Sequence, residues 1–248
     1  RLRPLLTIAS SSLFGYQGDR HVKLAACVEF IHTATLLHDD VIDKSDFRRG
    51  KKTNNNIWGN KNSILTGDYL LSRCFEIMVE DGSLEVLKLL SAVSSEIAQG
   101  EILQLQHEKE IETLEKTYLE IIGSKTSSLF AAAMRVGGCI NDKSKNEKEA
   151  LTSFGLNLGV CFQITDDILD YYSDNISFGK KIGNDFYEGK VTLPVIMLYQ
   201  KSSEAERLHL KKMFRANERT KEELSYTLNL MSKYQVIAAC KKRAEHFS

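Results

Sequence analysis

Two short runs of aspartate could do chemistry. Asp39-Asp40-Val41-Ile42-Asp43 and Asp166-Asp167-Ile168-Leu169-Asp170 share the form D-D-x-x-D. On a helix, Asp39 and Asp43 lie four apart and share a face, as do Asp166 and Asp170. Like charges at that spacing repel by about 0.2–0.5 kcal/mol per pair even when exposed. Beside Leu and Ile they cost more unless something cationic compensates. A solvated acidic face or a helix cap would account for one such run; two copies of one pattern in apolar surroundings point to a shared task. Carboxylate oxygens without His or Cys select hard cations, of which Mg²⁺ is the common one. Mg²⁺ takes one or two carboxylates and completes its shell with water and substrate phosphates. Two such clusters facing each other would hold a diphosphate between them through bridging ions.

The basic residues agree with that chemistry. Arg48-Arg49-Gly50 follows the first cluster; Gly179-Lys180-Lys181-Ile182-Gly183-Asn184-Asp185 and Gly189-Lys190 follow the second. Glycines allow close backbone approach, and lysines supply point charges for phosphate. Either loop alone is weak evidence, since most are merely solvated. His32, Thr35, Leu36, Asp39 and Asp43 recur at three or four residues, so His32 looks into the same space as the first cluster. His38 breaks that face and is read as structural. Gln163, Asp166 or Asp167, and Asp170 form the matching stripe on the later helix.

The elements that must position these residues read as helices. Apolar residues recur at helical spacing over 21–38, 63–80, 84–106, 111–122, 125–139, 147–172, 191–201, 203–215 and 220–246. Breaks are read at Asp81-Gly82, Gly137-Gly138 and Asn141-Asp142-Lys143, and no strand pair is evident. Only two prolines, Pro4 and Pro194, occur in 248 residues, too few for the turns of a sandwich or barrel. The expectation is an all-α, single-domain chain over residues 1–248, with the more charged tail from 201 onward peripheral. A hydrophobic content of 42% with 27% charged residues excludes disorder. The 33 basic and 33 acidic residues balance, so no global field steers the chain to nucleic acid or an anionic membrane. No basic stripe carries interleaved aromatics, so no nucleic-acid partner is expected. No run of eighteen apolar residues spans a membrane, and no apolar leader follows Arg1-Leu2-Arg3-Pro4. Five scattered cysteines without a C-x-x-C pair read as buried thiols in a reducing, cytoplasmic compartment.

In order along nearly the whole chain, these motifs resemble those of the trans-isoprenyl diphosphate synthases, the polyprenyl synthetase family. His38 through Asp43 with Arg48-Arg49-Gly50 is similar to the family's first aspartate-rich motif. Phe162-Gln163-Ile164-Thr165 followed by Asp166 through Asp170 is similar to the second, and Gly179-Lys180 through Gly189-Lys190-Val191-Thr192-Leu193-Pro194 to the segment after it. Lys125-Thr126 is similar to a substrate-binding pair on the helix between. The resemblance implies an antiparallel helix bundle around a deep central cavity, a homodimer, and head-to-tail addition of isopentenyl diphosphate to an allylic diphosphate. It implies three Mg²⁺ ions per site on Asp39, Asp40, Asp43, Asp166, Asp167 and Asp170, with Asp185 joining through water. Lys125 and Lys180 complete the catalytic set. Arg48, Lys125, Thr126, Gln163, Lys180 and Lys190 would bind the allylic diphosphate; Arg3, His32 and Arg49 would bind isopentenyl diphosphate. The family's Gly-Gly-Lys-Arg-x-Arg-Pro motif is met here only from Arg1 onward, so the chain is expected to be truncated, at its C-terminal end as well.

In the family, the residues four and five before the first motif line the cavity beneath it. Here they are Thr35 and Ala34, small side chains that resemble those of long-chain, octaprenyl-type synthases supplying quinone side chains. A long apolar product implies peripheral membrane contact on release. Shorter-chain farnesyl or geranylgeranyl synthases share the motifs. A class I terpene cyclase usually lacks the second D-D-x-x-D and the Arg48-Arg49 pair, and a non-catalytic partner subunit commonly loses one or both clusters.

Overall fold

A computed structural model describes residues 1–48, 50–172 and 182–248. Arg49 and residues 173–181, which include Lys180, lie outside the described residues. The all-α expectation holds among the described residues. The helices are α1 (Leu2–Leu13), α2 (Arg20–Ile42), α3 (Asn54–Trp58), α4 (Asn60–Asp81), α5 (Leu84–Gln106) and α6 (Glu115–Ile122). They continue with α7 (Ser128–Ile140), α8 (Lys145–Asp170), α9 (Asn184–Glu188), α10 (Leu193–Lys201), α11 (Glu204–Arg215), α12 (Lys221–Lys233) and α13 (Val236–Glu245). A π-helical turn, Gly123–Ser127, joins α6 to α7. None of the helices is long and apolar enough to cross a membrane. The described residues gather into two compact units, Arg1–Ala98 with Thr126–Gly159, and Gln99–Lys125 with Val160–Ser248.

In the first unit, α2 packs along α4 and α1 along α7. Leu24, Val28 and Ile31 of α2 meet Met78 of α4, Val86 and Leu90 of α5, and Leu129 and Val136 of α7, all buried. Cys27 and Cys74 are buried where α2 meets α4, each thiol directed at the other residue's backbone carbonyl. Four of the five cysteines are buried and Cys161 is half-buried.

Several expectations need correction. The strand pair that sequence reading did not find exists in minimal form: β1 (Phe47–Arg48) pairs antiparallel with β2 (Lys51–Lys52). Gly50, at φ 74, occupies the left-handed region that this tight turn requires. Gly137-Gly138 is not a break but lies inside α7. A Cβ on Gly137 would stand 2.5 Å from Ser10 C and 2.6 Å from Ser11 N, so the glycine exists to let α1 approach. The tail beyond 201 is not peripheral. Leu210, Met213 and Phe214 of α11, Leu230 and Met231 of α12, and Val236 and Cys240 of α13 are buried in the core of the second unit, with Ile164, Ile168, Phe186 and Ile196. The single helix expected over 220–246 divides at Gln235, whose φ of 50 is left-handed. Tyr234 is meanwhile tied to α11, its hydroxyl donating to Glu206 at 2.6 Å.

Both α11 and α12 begin with capping boxes, Ser203 with Glu206 and Thr220 with Glu223. The Glu206 carboxylate also accepts from Lys233 and Tyr234, and these partners draw its pKa down to about 2.

Two predictions follow from this packing. Helix propensity alone would make Ala better than Gly by about 1 kcal/mol at 137 and at 138. At Gly137 the overlap is with backbone, so Gly137→Ala should instead destabilise by about 1–3 kcal/mol in urea unfolding. Gly138→Ala meets side-chain atoms of Leu151 and Lys148 at 3.1 Å and backbone only at 3.7 Å, an ordinary contact, and should be neutral or stabilising. Equal effects at both positions would refute the close-approach reading. For Glu206 the folded pKa is depressed, so its contribution is present above the ordinary value of about 4.5 and is lost as pH falls toward about 2. The stability gap between the parent chain and Glu206→Gln should be full at pH 6 and close over that interval.

Candidate active site

In the first unit the acidic run ends α2. Asp39 and Asp40 occupy its last turn, Asp43 is its C-cap, and that turn carries no basic residue. A helix C-terminus bears partial negative charge, so carboxylates there are doubly disfavoured and call for cations from elsewhere. Asp40 is 4% exposed. Its compensation comes from β1: Arg48 donates from Nε to Asp40 Oδ1 at 2.8 Å, with Nη2 at 2.7 Å. The hairpin missed in the sequence is thus what turns Arg48 back onto the cluster. Asn55 fixes the connection by donating to Asp40 O at 3.1 Å and Ser45 O at 3.3 Å, and Thr53 donates to Ser45 O at 2.6 Å. Asp39 and Asp43 are half-buried.

Two turns earlier on α2, His32 Nε2 lies 3.2 Å from Arg3 Nη1 of α1. A guanidinium only donates, so Nε2 accepts. The Arg3 guanidinium also lies 4.3 Å over the Phe130 ring of α7. Two of the three residues expected to bind isopentenyl diphosphate therefore meet, and the third, Arg49, lies outside the described residues. Ala34 is fully buried, and Thr35 donates its hydroxyl to His32 O at 2.8 Å. His38 is turned onto α4, its Nε2 3.2 Å from Ile64 O and 3.4 Å from Asp68 Oδ1, in the structural role expected of it.

In the second unit the other acidic run ends α8, again without a basic residue in the last turn. Asp167 and Asp170 are buried, at 4% and 6% exposure, whereas Asp166 is exposed, so the stripe resolves to Gln163, Asp167 and Asp170. Asp167 accepts from Tyr118 OH at 2.6 Å and from Gln163 Nε2 at 2.8 Å. Burial nevertheless pushes its carboxyl up to about 7, the two donors pulling against it and the charges of Asp166 and Asp170 adding to it. Asp170 Oδ2 accepts the backbone N–H of Asp185 at 3.0 Å. Asp185 itself is pushed well above the carboxylate range, first by burial and then by Asp170 and Asp167, with Lys190 opposing. Lys190 Nζ lies 2.8 Å from Glu188, and its N–H donates to Asp185 O at 2.9 Å.

Lys125 lies on the π-helical turn, a device that recurs at functional sites. It pairs with Glu101 of α5. A Cβ on Gly100 would stand 2.7 Å from Lys125 N, so this glycine lets α5 run against the turn. Thr126, on the same turn, is buried.

Tyr118 and Glu101 are the site neighbours that sequence reading missed. The sequence marks Tyr118 only by its place seven residues before Lys125 on a helical stretch; its 3% exposure, which demands a partner for the hydroxyl, is visible in the structure alone. The donor set fits Mg²⁺. It is oxygen throughout, and Asp167, Asp170 and Asp185 crowd negative charge in a buried place that a dication would relieve. No closed cage of three or more acidic, His or Cys side chains forms among the described residues. An ion whose remaining ligands are water and phosphate does not need one.

The family model for polyprenyl synthetase matches residues 1–231. The octaprenyl diphosphate synthase of Escherichia coli is 45% identical over 196 residues, 79% of this chain and 61% of that protein. The chain thus spans about three fifths of the curated relatives it first matches. Among solved structures, a decaprenyl diphosphate synthase from Rhodobacter capsulatus superposes at a TM-score of 0.94 with 44% identity, covering 99% of this chain and 76% of that one. A polyprenyl synthase from Caulobacter crescentus, complexed with calcium and isoprenyl diphosphate, gives 0.94 at 42% identity, covering 99% and 75%. With the family model matched over residues 1–231 and both acidic motifs in place, the chain belongs to the polyprenyl synthetase family.

Proposed function

We propose that the protein condenses isopentenyl diphosphate head to tail with an allylic diphosphate, releasing diphosphate and building a long all-trans polyprenyl diphosphate of octaprenyl type for quinone side chains. One observation carries the reading: the same D-D-x-x-D pattern ends two helices, each without a basic residue in its last turn and each with buried carboxylates. Such sites are stable when cations are brought to them.

Asp39, Asp40 and Asp43, with Asp166, Asp167, Asp170 and Asp185, would hold Mg²⁺, three ions in the full reading. When bound, Mg²⁺ supplies Lewis-acid stabilisation of charge on the departing diphosphate. Arg48, Lys125, Lys180 and Lys190, helped by Gln163 and Thr126, bind and orient the allylic diphosphate, and their charges favour cleavage of its C–O bond. Arg3, His32 and Arg49 hold isopentenyl diphosphate so that its double bond attacks the allylic cation. A C–C bond forms, the C–O electron pair leaves with diphosphate, and the adduct loses a proton to the released diphosphate. Apolar helices exclude the water that would trap the cation. Ala34 and Thr35, being small, leave room for a long chain. A homodimer in the cytoplasm, touching the membrane on product release, completes the reading.

The test is a product assay on full-length protein with Mg²⁺, isopentenyl diphosphate and farnesyl diphosphate, sizing the dephosphorylated chains. A ladder ending near octaprenol is expected. Products stopping at farnesyl or geranylgeranyl length would sink the long-chain assignment, and a cyclic hydrocarbon would sink the synthase itself. Asp39→Ala should lower turnover by about 10²-fold or more.

A further prediction concerns pH. Without a cation, Asp167 keeps its proton up to about pH 7, and cation binding must displace it. The half-saturating Mg²⁺ concentration should therefore climb as pH falls below 7. Tyr118→Phe removes a donor that holds the Asp167 pKa down, so its break should lie at higher pH, with cation affinity weakened about tenfold at neutrality. Identical pH profiles would show that the Tyr118 hydroxyl does not act on Asp167.

A further inference from the structure

Arg219 follows α11 and is 8% exposed. Among the described residues no carboxylate lies within ion-pair distance of it; Glu223 and Glu108 act on it only at longer range. Its guanidinium is instead given to backbone: Nη2 donates to Phe214 O at 2.6 Å and Nη1 to Tyr187 O at 3.2 Å. The guanidinium carbon lies 5.3 Å from the centre of the Phe214 ring, which packs edge-on against Phe186 at 5.6 Å. Gly189 closes over it: a Cβ there would stand 2.6 Å from Nη2 and 3.1 Å from Nη1, and φ is +80. Burying a charge costs several kcal/mol, and an apolar side chain would fill the same volume at less cost. The reason for a guanidinium must lie in what its donors hold.

One of them, Nη1, holds the turn that contains α9, and the other, Nη2, ties that contact to Phe214 at the end of α11. At its head, Gly183 N–H donates to Asp170 O at 2.8 Å and Asp185 N–H to Asp170 Oδ2 at 3.0 Å. At its tail, Tyr187 O rests on Arg219, Gly189 packs on the guanidinium, and Gly189 O accepts from Lys109 N–H at 3.2 Å. Between the two anchors stands Asp185, and one residue beyond Gly189 comes Lys190. A helix of five residues does not hold its own shape in water. The anchors set it.

We propose that Arg219 is a positioning residue for the allylic-diphosphate side of the reaction, clamping the Gly183–Lys190 turn so that Asp185 and Lys190 are presented beside Asp170. This rests on the reading of Lys190 as an allylic-diphosphate ligand given above. Arg219 touches no substrate and acts through the turn.

The experiment compares full-length parent protein with Arg219→Gln and Arg219→Lys, measuring kcat and the KM of each substrate. Arg219→Gln should raise the KM of the allylic diphosphate about tenfold or more and leave that of isopentenyl diphosphate unmoved. Lysine keeps the charge but lacks the planar fork, so Arg219→Lys should recover only part of the loss. A uniform fall in activity with both KM values unchanged would overturn the clamp, leaving Arg219 a general stabiliser. If Arg219→Gln does not fold, Gly189→Ala tests the same contact from the other side and should show the same selective rise. A second readout does not depend on turnover: Mg²⁺ with inorganic diphosphate should raise the melting temperature of the parent chain more than that of Arg219→Lys. Equal shifts would overturn the proposal. A parent chain that makes no polyprenyl product yet shows the larger shift would sink the reaction assigned above and leave the clamp standing.

Discussion

Negative charge stacked at the negative end of a helix is the constraint around which each unit is arranged. Asp40 and Asp43 close α2, and Asp167 and Asp170 close α8. The helix dipole disfavours each exposed carboxylate by about 0.3–1 kcal/mol. Neighbouring aspartates add about 0.2–0.5 kcal/mol per pair. Burial outweighs both, at several kcal/mol per ion. The buried members, Asp40, Asp167 and Asp170, are therefore the ones that draw neighbours out of the chain. Arg48 comes back on a hairpin, Tyr118 reaches from α6, and the start of α9 supplies the N–H of Asp185. Asp39, Asp43 and Asp166 are less buried, so the desolvation cost of each is smaller.

How much of this was legible depends on whether the signal is local. The two acidic runs, their helical setting and the basic residues after them are patterns within a few residues, and periodicity finds them. What failed required knowing a partner. Gly137-Gly138 reads equally as a break or as a place of close approach, and only Ser10 and Ser11 of α1 decide it. The tail looked peripheral because its apolar residues are distributed over three short helices among many charges. Leu210, Phe214, Leu230 and Val236 become a core only when α11, α12 and α13 are brought against α8 and α10. The capping boxes at Ser203 and Thr220 mark where helices start. Nothing local marks the division at Gln235, which has neither glycine nor proline beside it.

The site itself divides the same way. Asp, Gln and Lys at recognisable spacings announce themselves, whereas the groups that hold them do not. Tyr118 is one aromatic among many until its hydroxyl is seen on Asp167. Glu101 is one acid on a long helix until Lys125 is seen against it. A residue that acts on another residue carries no motif, because its requirement is a distance in space and many local sequences can satisfy it.

That difference gives two pentapeptides of one D-D-x-x-D pattern unlike surroundings. Asp40 faces a full positive charge, the Arg48 guanidinium, at 2.7–2.8 Å. Asp167 occupies the corresponding second position of its own run, but its partners, Tyr118 and Gln163, are neutral. Neutral donors orient a carboxylate without cancelling its charge, and the burial of Asp167, with Asp166 and Asp170 nearby, leaves its pKa at about 7. The first cluster is neutralised in part by its own chain. In the second cluster, among the described residues, the hydrogen bonds to Asp167 come from neutral donors, and a cation arriving with a diphosphate would relieve the charge buried there. Sequence symmetry between the two motifs therefore does not extend to Asp40 and Asp167: the motif supplies the carboxylate, and the flanking segments decide whether its hydrogen-bond donor is charged.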